Sequence, residues 1–295
     1  MLSDISVIKK CIKSLDDFVW ARLFENDVLT QINLFHYTTE EAKNKIISND
    51  EICLRFSSCS KLLDKNEGTQ MLEAYYYVCG KLYETNKIDA DFYNKLKTIS
   101  MESISNRKKD AWILSFSQNG CSQYMKCRYA PGNGWIIGLL GLAFDGLYEL
   151  NANISTKKVN YGFESMCNYL EEAILHLYEC YHYELNNCQM DAELVNRKLT
   201  KATLDILMTV CFSYKSADYA TEEEIRVVAF LQNDVKLMSS ADGSIKLVWE
   251  ENIPYLYFSR QTYEYMISQK LSEVDDSVFN KSCVTSQEIK QYYNA

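Results

Sequence analysis

Apolar positions near the start of the chain recur three and four residues apart, at Ile5, Ile8, Ile12, Leu15, Phe18, Val19 and Leu23. That is the stripe of an amphipathic helix within residues 1–30, made to pack on the rest of the protein or on a partner. The period then shortens. Ile32 to His36 reads as a strand, and Thr38 or Thr39 ahead of Glu40, Glu41 and Ala42 reads as the cap of a helix running to Ser48. His36 is thereby carried to a strand-to-helix junction. Ile52, Leu54 and Phe56 alternate as a strand does, and helices follow over Gly68 to Leu82 and Ala90 to Ser105. Trp112 to Ser117 and Trp135 to Leu139 read as strands on either side of a polar loop, Gly120 to Gly134, the most glycine-rich stretch of the chain. Lys157 to Tyr161 reads as a short strand before a helix-rich insert. Strands at Glu224 to Leu231, Leu247 to Glu250 and Tyr255 to Phe258 complete the sheet, and Ser286 opens a last helix to Tyr293. The pattern predicts a single α+β domain: the N-terminal helix, a core over residues 31–260 with its helical insert at 163–211, and an extension over 261–295 packed on the core.

Composition narrows the class. The chain has 295 residues, of which 47% are hydrophobic and 13% aromatic, enough for a substantial core. Only 10 glycines and 2 prolines occur, so there is little material for a linker or a phosphate-cradling loop. A net charge of -9 disfavours nucleic acid as a nonspecific partner. The longest apolar run, Trp135 to Phe144, is short of the roughly 20 residues a membrane helix needs, which points away from a membrane and towards the cytoplasm. The 11 cysteines form no C-x-x-C pair and no cluster at zinc-ligand spacing, so they read as reduced thiols and no metal is expected. P-loop, Rossmann, zincin and hydrolase signatures are missing from the sequence.

Candidate chemistry gathers at two places. His36 stands with Tyr37, Thr38 and Thr39 at a strand end, where an imidazole can serve a cleft as base or donor, or can be a half-buried histidine satisfied by the backbone. Glu222, Glu223 and Glu224 are consecutive, so on an extended chain Glu222 and Glu224 share a face. Such a pair can stabilise positive charge at a glycosidic carbon while positioning an acceptor. The plainer reading is a solvated acidic turn, or a clamp between Glu224 and Arg226. Arg55 and Arg226 are candidate anion clamps, with an internal ion pair the favoured role for Arg226. Ser115 and Ser117 flank Phe116, so both hydroxyls share a strand face that could line a cleft with His36, or cap backbone at a strand edge. Tyr129, next to Arg128 and ahead of Gly132 and Gly134, is a candidate stacking aromatic.

The segments LFHYTTEEAKNKIISNDEICLRFSSCSKLLDKNEG, WILSFSQNG, RYAPGNGWIIGL, KKVNY, YKSADYATEEEIRVV and PYLYFS occur in that order over Leu34 to Ser259. This series resembles the bacterial family catalogued as domain of unknown function 2971, departing from it at Tyr124 or Met125 and at Ile225, where the family carries aromatics. An H-Y-T tripeptide on the first strand with a late acidic residue on another is also similar to ADP-ribosyltransferases of the diphtheria-toxin and poly-ADP-ribose polymerase type. That resemblance implies a mixed, mostly antiparallel ADP-ribosyltransferase-like sheet with NAD as substrate. It implies that His36, Tyr37 and Thr38 hold the dinucleotide, and that Glu224, aided by Glu222, stabilises the cation formed as the nicotinamide N-glycosidic bond breaks. Arg55, Ser115, Ser117, Tyr129 and Arg226 complete the expected binding set. The expected function is a transferase or glycohydrolase consuming NAD in bacterial stress response or phage defence. The alternative is a non-catalytic nucleotide-sensing or protein-interaction module, its partner meeting the tyrosine-rich insert that contains His176 and His182.

Overall fold

In the computed structural model of the chain, the described residues are 14–17, 33–47, 51–61, 67–120, 122–132, 134–140, 144, 147, 150, 154–188, 190–230, 237–240, 245–259 and 267–270. The elements begin with β1 (Asn33–Thr38), α1 (Glu40–Ile46), β2 (Glu51–Arg55) and β3 (Ser57–Ser58). Three helices follow, α2 (Glu67–Glu84), α3 (Ala90–Leu96) and α4 (Met101–Lys108), then β4 (Ala111–Ser117), α5 (Gln123–Tyr129), β5 (Trp135–Leu140), β6 (Ile154–Lys158) and β7 (Asn160–Tyr161). Two long helices, α6 (Phe163–Asn187) and α7 (Ala192–Ser213), lead to β8 (Tyr214–Lys215), a 3-10 turn at Ala217–Glu222, and β9 (Glu224–Phe230). The last described elements are β10 (Leu237–Ser239), β11 (Ile245–Glu250), β12 (Ile253–Ser259) and β13 (Ile267–Lys270). The fold is α+β, with helices and antiparallel sheets, as the hydrophobic pattern predicts. The expected N-terminal helix and the helix from Ser286 to Tyr293 lie outside the described residues, apart from residues 14–17.

Where the sequence predicts one domain, the chain divides by contact into two compact units. Met1–Asn26, Cys59–Ala111 and Val159–Asp218 form a helical unit, while Asp27–Ser58, Trp112–Lys158 and Tyr219–Ala295 form a sheet unit. The predicted insert is therefore part of a helical body that also contains α2, α3 and α4.

In the helical unit α6 packs on α2 and α7, and α4 packs on α7. Tyr75, Val78, Leu82, Leu170, Leu177 and Ile206 are among its buried residues. The helix predicted over Ala90 to Ser105 is broken in two. Ser100 caps α4 by accepting from the Ser103 N–H, and the Leu96 and Ile99 carbonyls at the break accept from the Tyr75 and Tyr76 hydroxyls at 2.9 and 2.6 Å. Gly162 enters α6 with φ +100 and ψ 148, a backbone region open essentially to glycine alone, while its N–H donates to the Lys215 carbonyl beside the β7–β8 pairing.

In the sheet unit, one sheet runs β13-β5-β1-β4-β9-β6 with β3 attached to β4, and the other runs β10-β11-β12-β2. Leu34, Phe116 and Val227 of the first sheet share one buried cluster with Leu54, Leu256 and Phe258 of the second, so the sheets face each other across an apolar core. The opposite face of the first sheet carries a smaller cluster, Tyr37 and Ile136 with Met125 and Ala130 at α5. The expected C-terminal extension contributes β13, an edge strand antiparallel to β5.

Candidate functional site

Strand alternation fixes which side chains can meet. On β1, Leu34 belongs to the inter-sheet core, so His36 and Thr38 share its face, and Phe35 and Tyr37 point to the other. On β4, Leu114 and Phe116 enter the inter-sheet core, which puts Ser115 and Ser117 on the face of Tyr37. The register agrees, because Phe35 stands opposite Ser117. On β9, Ile225, Val227 and Ala229 enter the inter-sheet core, which turns Glu224 and Arg226 away from it. His36 therefore lies on one face of the sheet, with Ser115, Ser117 and Glu224 on the other. The expected convergence of these groups in one cleft does not form.

The ring of His36 packs edge-on against Phe116, with centroids 5.9 Å apart, and its Nδ1 lies 3.2 Å from the Ser115 carbonyl. With Nδ1–H as donor, that contact satisfies the neutral imidazole from the backbone. Desolvation lowers the His36 pKa below its ordinary value, and the bond to Ser115 offsets part of the effect. Thr38 is buried on the same face, opposite Trp135 in register. Tyr37 is also buried, its hydroxyl donating to the Asn119 carbonyl at 2.6 Å and accepting from the Ser122 N–H at 3.2 Å. Arg55 is exposed at the end of β2 opposite Tyr255, and because Leu54 points into the inter-sheet core, Arg55 faces outward.

The acidic segment is not the extended run its sequence suggests. Glu222 ends the 3-10 turn, Glu223 adopts a left-handed φ of +44, and only Glu224 begins the strand. Glu223 is held there on every side: its N–H donates to the Ala220 carbonyl, its carbonyl accepts from Gln118, and its carboxylate accepts from Asn119 Nδ2 at 3.1 Å. Glu222 is 2% exposed; its Oε1 accepts from the Tyr129 hydroxyl at 3.1 Å and its carbonyl from Ser117 Oγ at 2.7 Å. Glu224 is 6% and Arg226 2% exposed, and the guanidinium forks onto the carboxylate, Nε to Oε1 and Nη2 to Oε2, both at 2.9 Å. Lys157, also buried, stands opposite Arg226 on the same face. The clamp between Glu224 and Arg226, one of the readings open in the sequence, is the arrangement present.

One group that the sequence passes over stands out beside this network. Ser122 caps α5 by accepting from the Met125 N–H at 3.2 Å, and the helix then sets Tyr124 and Arg128 one turn apart. The Arg128 guanidinium carbon lies 5.6, 5.6 and 5.3 Å from the ring centroids of Tyr124, Tyr129 and Tyr219, and Nη1 donates to the Tyr124 hydroxyl. Arg128 is nonetheless exposed. No protein-family model, curated protein or solved structure matches the chain. The family resemblance therefore rests on the sequence motifs alone. Among the described residues no group of His, Cys, Asp and Glu side chains could hold a metal, and no helix is long and apolar enough to cross a membrane.

Proposed function

We propose that this chain is a nucleotide-binding module and that its acidic segment is structural. The observation that carries this reading is the buried, two-pronged bond between Arg226 and Glu224 on the face opposite His36. A carboxylate that is to stabilise a glycosyl cation has to face the substrate. Freeing Glu224 would strand two buried charges, a loss of about 3–5 kcal/mol when one partner of such a pair is removed. Glu222, the other carboxylate of the pair, is buried and bonded to Tyr129. A nucleotide is the ligand class implied by the H-Y-T resemblance, and the Tyr124, Arg128 and Tyr129 group supplies stacking surface and positive charge.

NAD cleavage is the competing proposal, favoured by the order of the motifs from His36 to Glu224. One experiment separates the two. Purified protein is titrated with NAD while its unfolding midpoint is followed, and the nucleotide is afterwards separated from any nicotinamide, with and without cell lysate as acceptor source. Binding without chemistry raises the midpoint, by the equivalent of about 2.7 kcal/mol at a hundredfold excess over Kd, and returns NAD intact. Release of nicotinamide by the wild-type protein would overturn the proposal in favour of cleavage.

A further inference from the structure

Three of the described arginines are neutralised by carboxylates: Arg107 pairs with Asp205, Arg197 with Glu193 and Arg226 with Glu224. Arg55 and Arg128 are not, and of these two only Arg128 is framed by tyrosine rings. Among the described residues no carboxylate forms an ion pair with it, although the chain carries a net charge of -9. Of the roughly five N–H donors on a guanidinium, one is used, by the Tyr124 hydroxyl. Tyr124, Tyr129 and Tyr219 hold the group in place through its contacts with their rings.

That arrangement has a physical consequence. A free arginine side chain loses rotamer freedom when it captures an anion. Here much of that freedom is already gone, so an incoming anion meets a fork set in position. The platform under it is tied down: Tyr129 donates to buried Glu222, the Glu222 carbonyl accepts from Ser117, and Ser122 caps the helix. Two charges oppose an anion, Glu222 and Glu223, but the first is buried and bonded, and the second accepts from Asn119 Nδ2. A planar base arriving with the anion would find tyrosine rings beside the fork.

We infer that Arg128, framed by Tyr124, Tyr129 and Tyr219, receives the phosphate groups of the nucleotide. The inference rests on the nucleotide-binding reading and adds the contact point to it. Binding of ADP-ribose and of inorganic pyrophosphate is measured by calorimetry on the full chain, for the wild type, Arg128→Ala and Arg128→Lys. Unfolding midpoints confirm that the variants are folded. ADP-ribose is expected to bind the wild type, to weaken about tenfold to a hundredfold in Arg128→Ala, and to be intermediate in Arg128→Lys, which keeps the charge but loses the fork. Equal ADP-ribose affinity in all three overturns the inference while the nucleotide reading survives. Pyrophosphate bound in an Arg128-dependent way, with no ADP-ribose bound, keeps the phosphate contact and removes the nucleotide. Neither compound bound by the wild type overturns both.

Discussion

Glu224 and Arg226 are separated by one strand residue, and that spacing alone makes a fork between them geometrically available. What the sequence could not disclose was Glu223 in the left-handed region, which takes Glu222 off the strand and gives the two carboxylates different environments. Three partners hold Glu223 there, and two of them, Gln118 and Asn119, are more than a hundred positions away. His36 was expected to serve the site, with a half-buried histidine satisfied by the backbone as the other open reading, and the Ser115 carbonyl is that backbone partner. Its lowered pKa makes a pH-dependent stability. The unfolded chain, with a histidine pKa of about 6.5, binds the proton more readily than the folded one. The stability tied to neutral His36 is therefore present above that value and lost as pH falls towards the lower folded value. Unfolding midpoints measured between about pH 7.5 and pH 5 should fall less in His36→Asn than in the wild type, since the histidine reference lies within that span. An identical fall in both would mean that desolvation of this ring does not govern the acid side.

At the scale of elements, the strands were readable because apolar alternation and β-branched content are strong local signals: β2, β4, β5 and β9 appear within a few residues of their expected bounds. Helix α5 was hidden. Its sequence, QYMKCRY, is followed by Ala130, Pro131, Gly132 and Gly134, and the glycine content of that stretch masked the Ser122 cap and the Tyr124–Arg128 spacing. With the helix hidden, the tyrosine-ringed arginine could not be seen, although Tyr129 was singled out. Gly134 has a packing reason to be glycine. A Cβ there would sit 2.5 Å from both the Cβ and the carbonyl oxygen of Ala130, just beyond α5, and backbone cannot swing aside as a side-chain tip can. Gly134→Ala should cost about 1–3 kcal/mol and lower the unfolding midpoint. An unchanged midpoint would show that this turn relaxes freely.

For the whole molecule, class was easier to read than partition. The α+β pattern follows from alternating helical and strand periods, but the chain passes between its two units at five points, from residue 26 to 27 through residue 218 to 219. The passage from 111 to 112 falls within β4 and that from 218 to 219 within the 3-10 turn, no proline- or glycine-rich linker marks a boundary, and the residues at 163–211 read as an insert although they pack with α2 and α4. The facing of His36 and Glu224 was likewise out of reach. Every residue of β9 is buried, so its sequence shows no polar side to orient it, and the two faces separate only once Ile225, Val227 and Ala229 are seen in the inter-sheet core. The central claim for the molecule is that Glu224 is a structural partner of Arg226. Equilibrium unfolding of Glu224→Gln beside the wild type tests it most directly. A loss of about 3–5 kcal/mol, the amount expected when a buried charge is left without its partner, is the result anticipated here, whereas an unchanged stability would show a carboxylate free for chemistry and contradict the account.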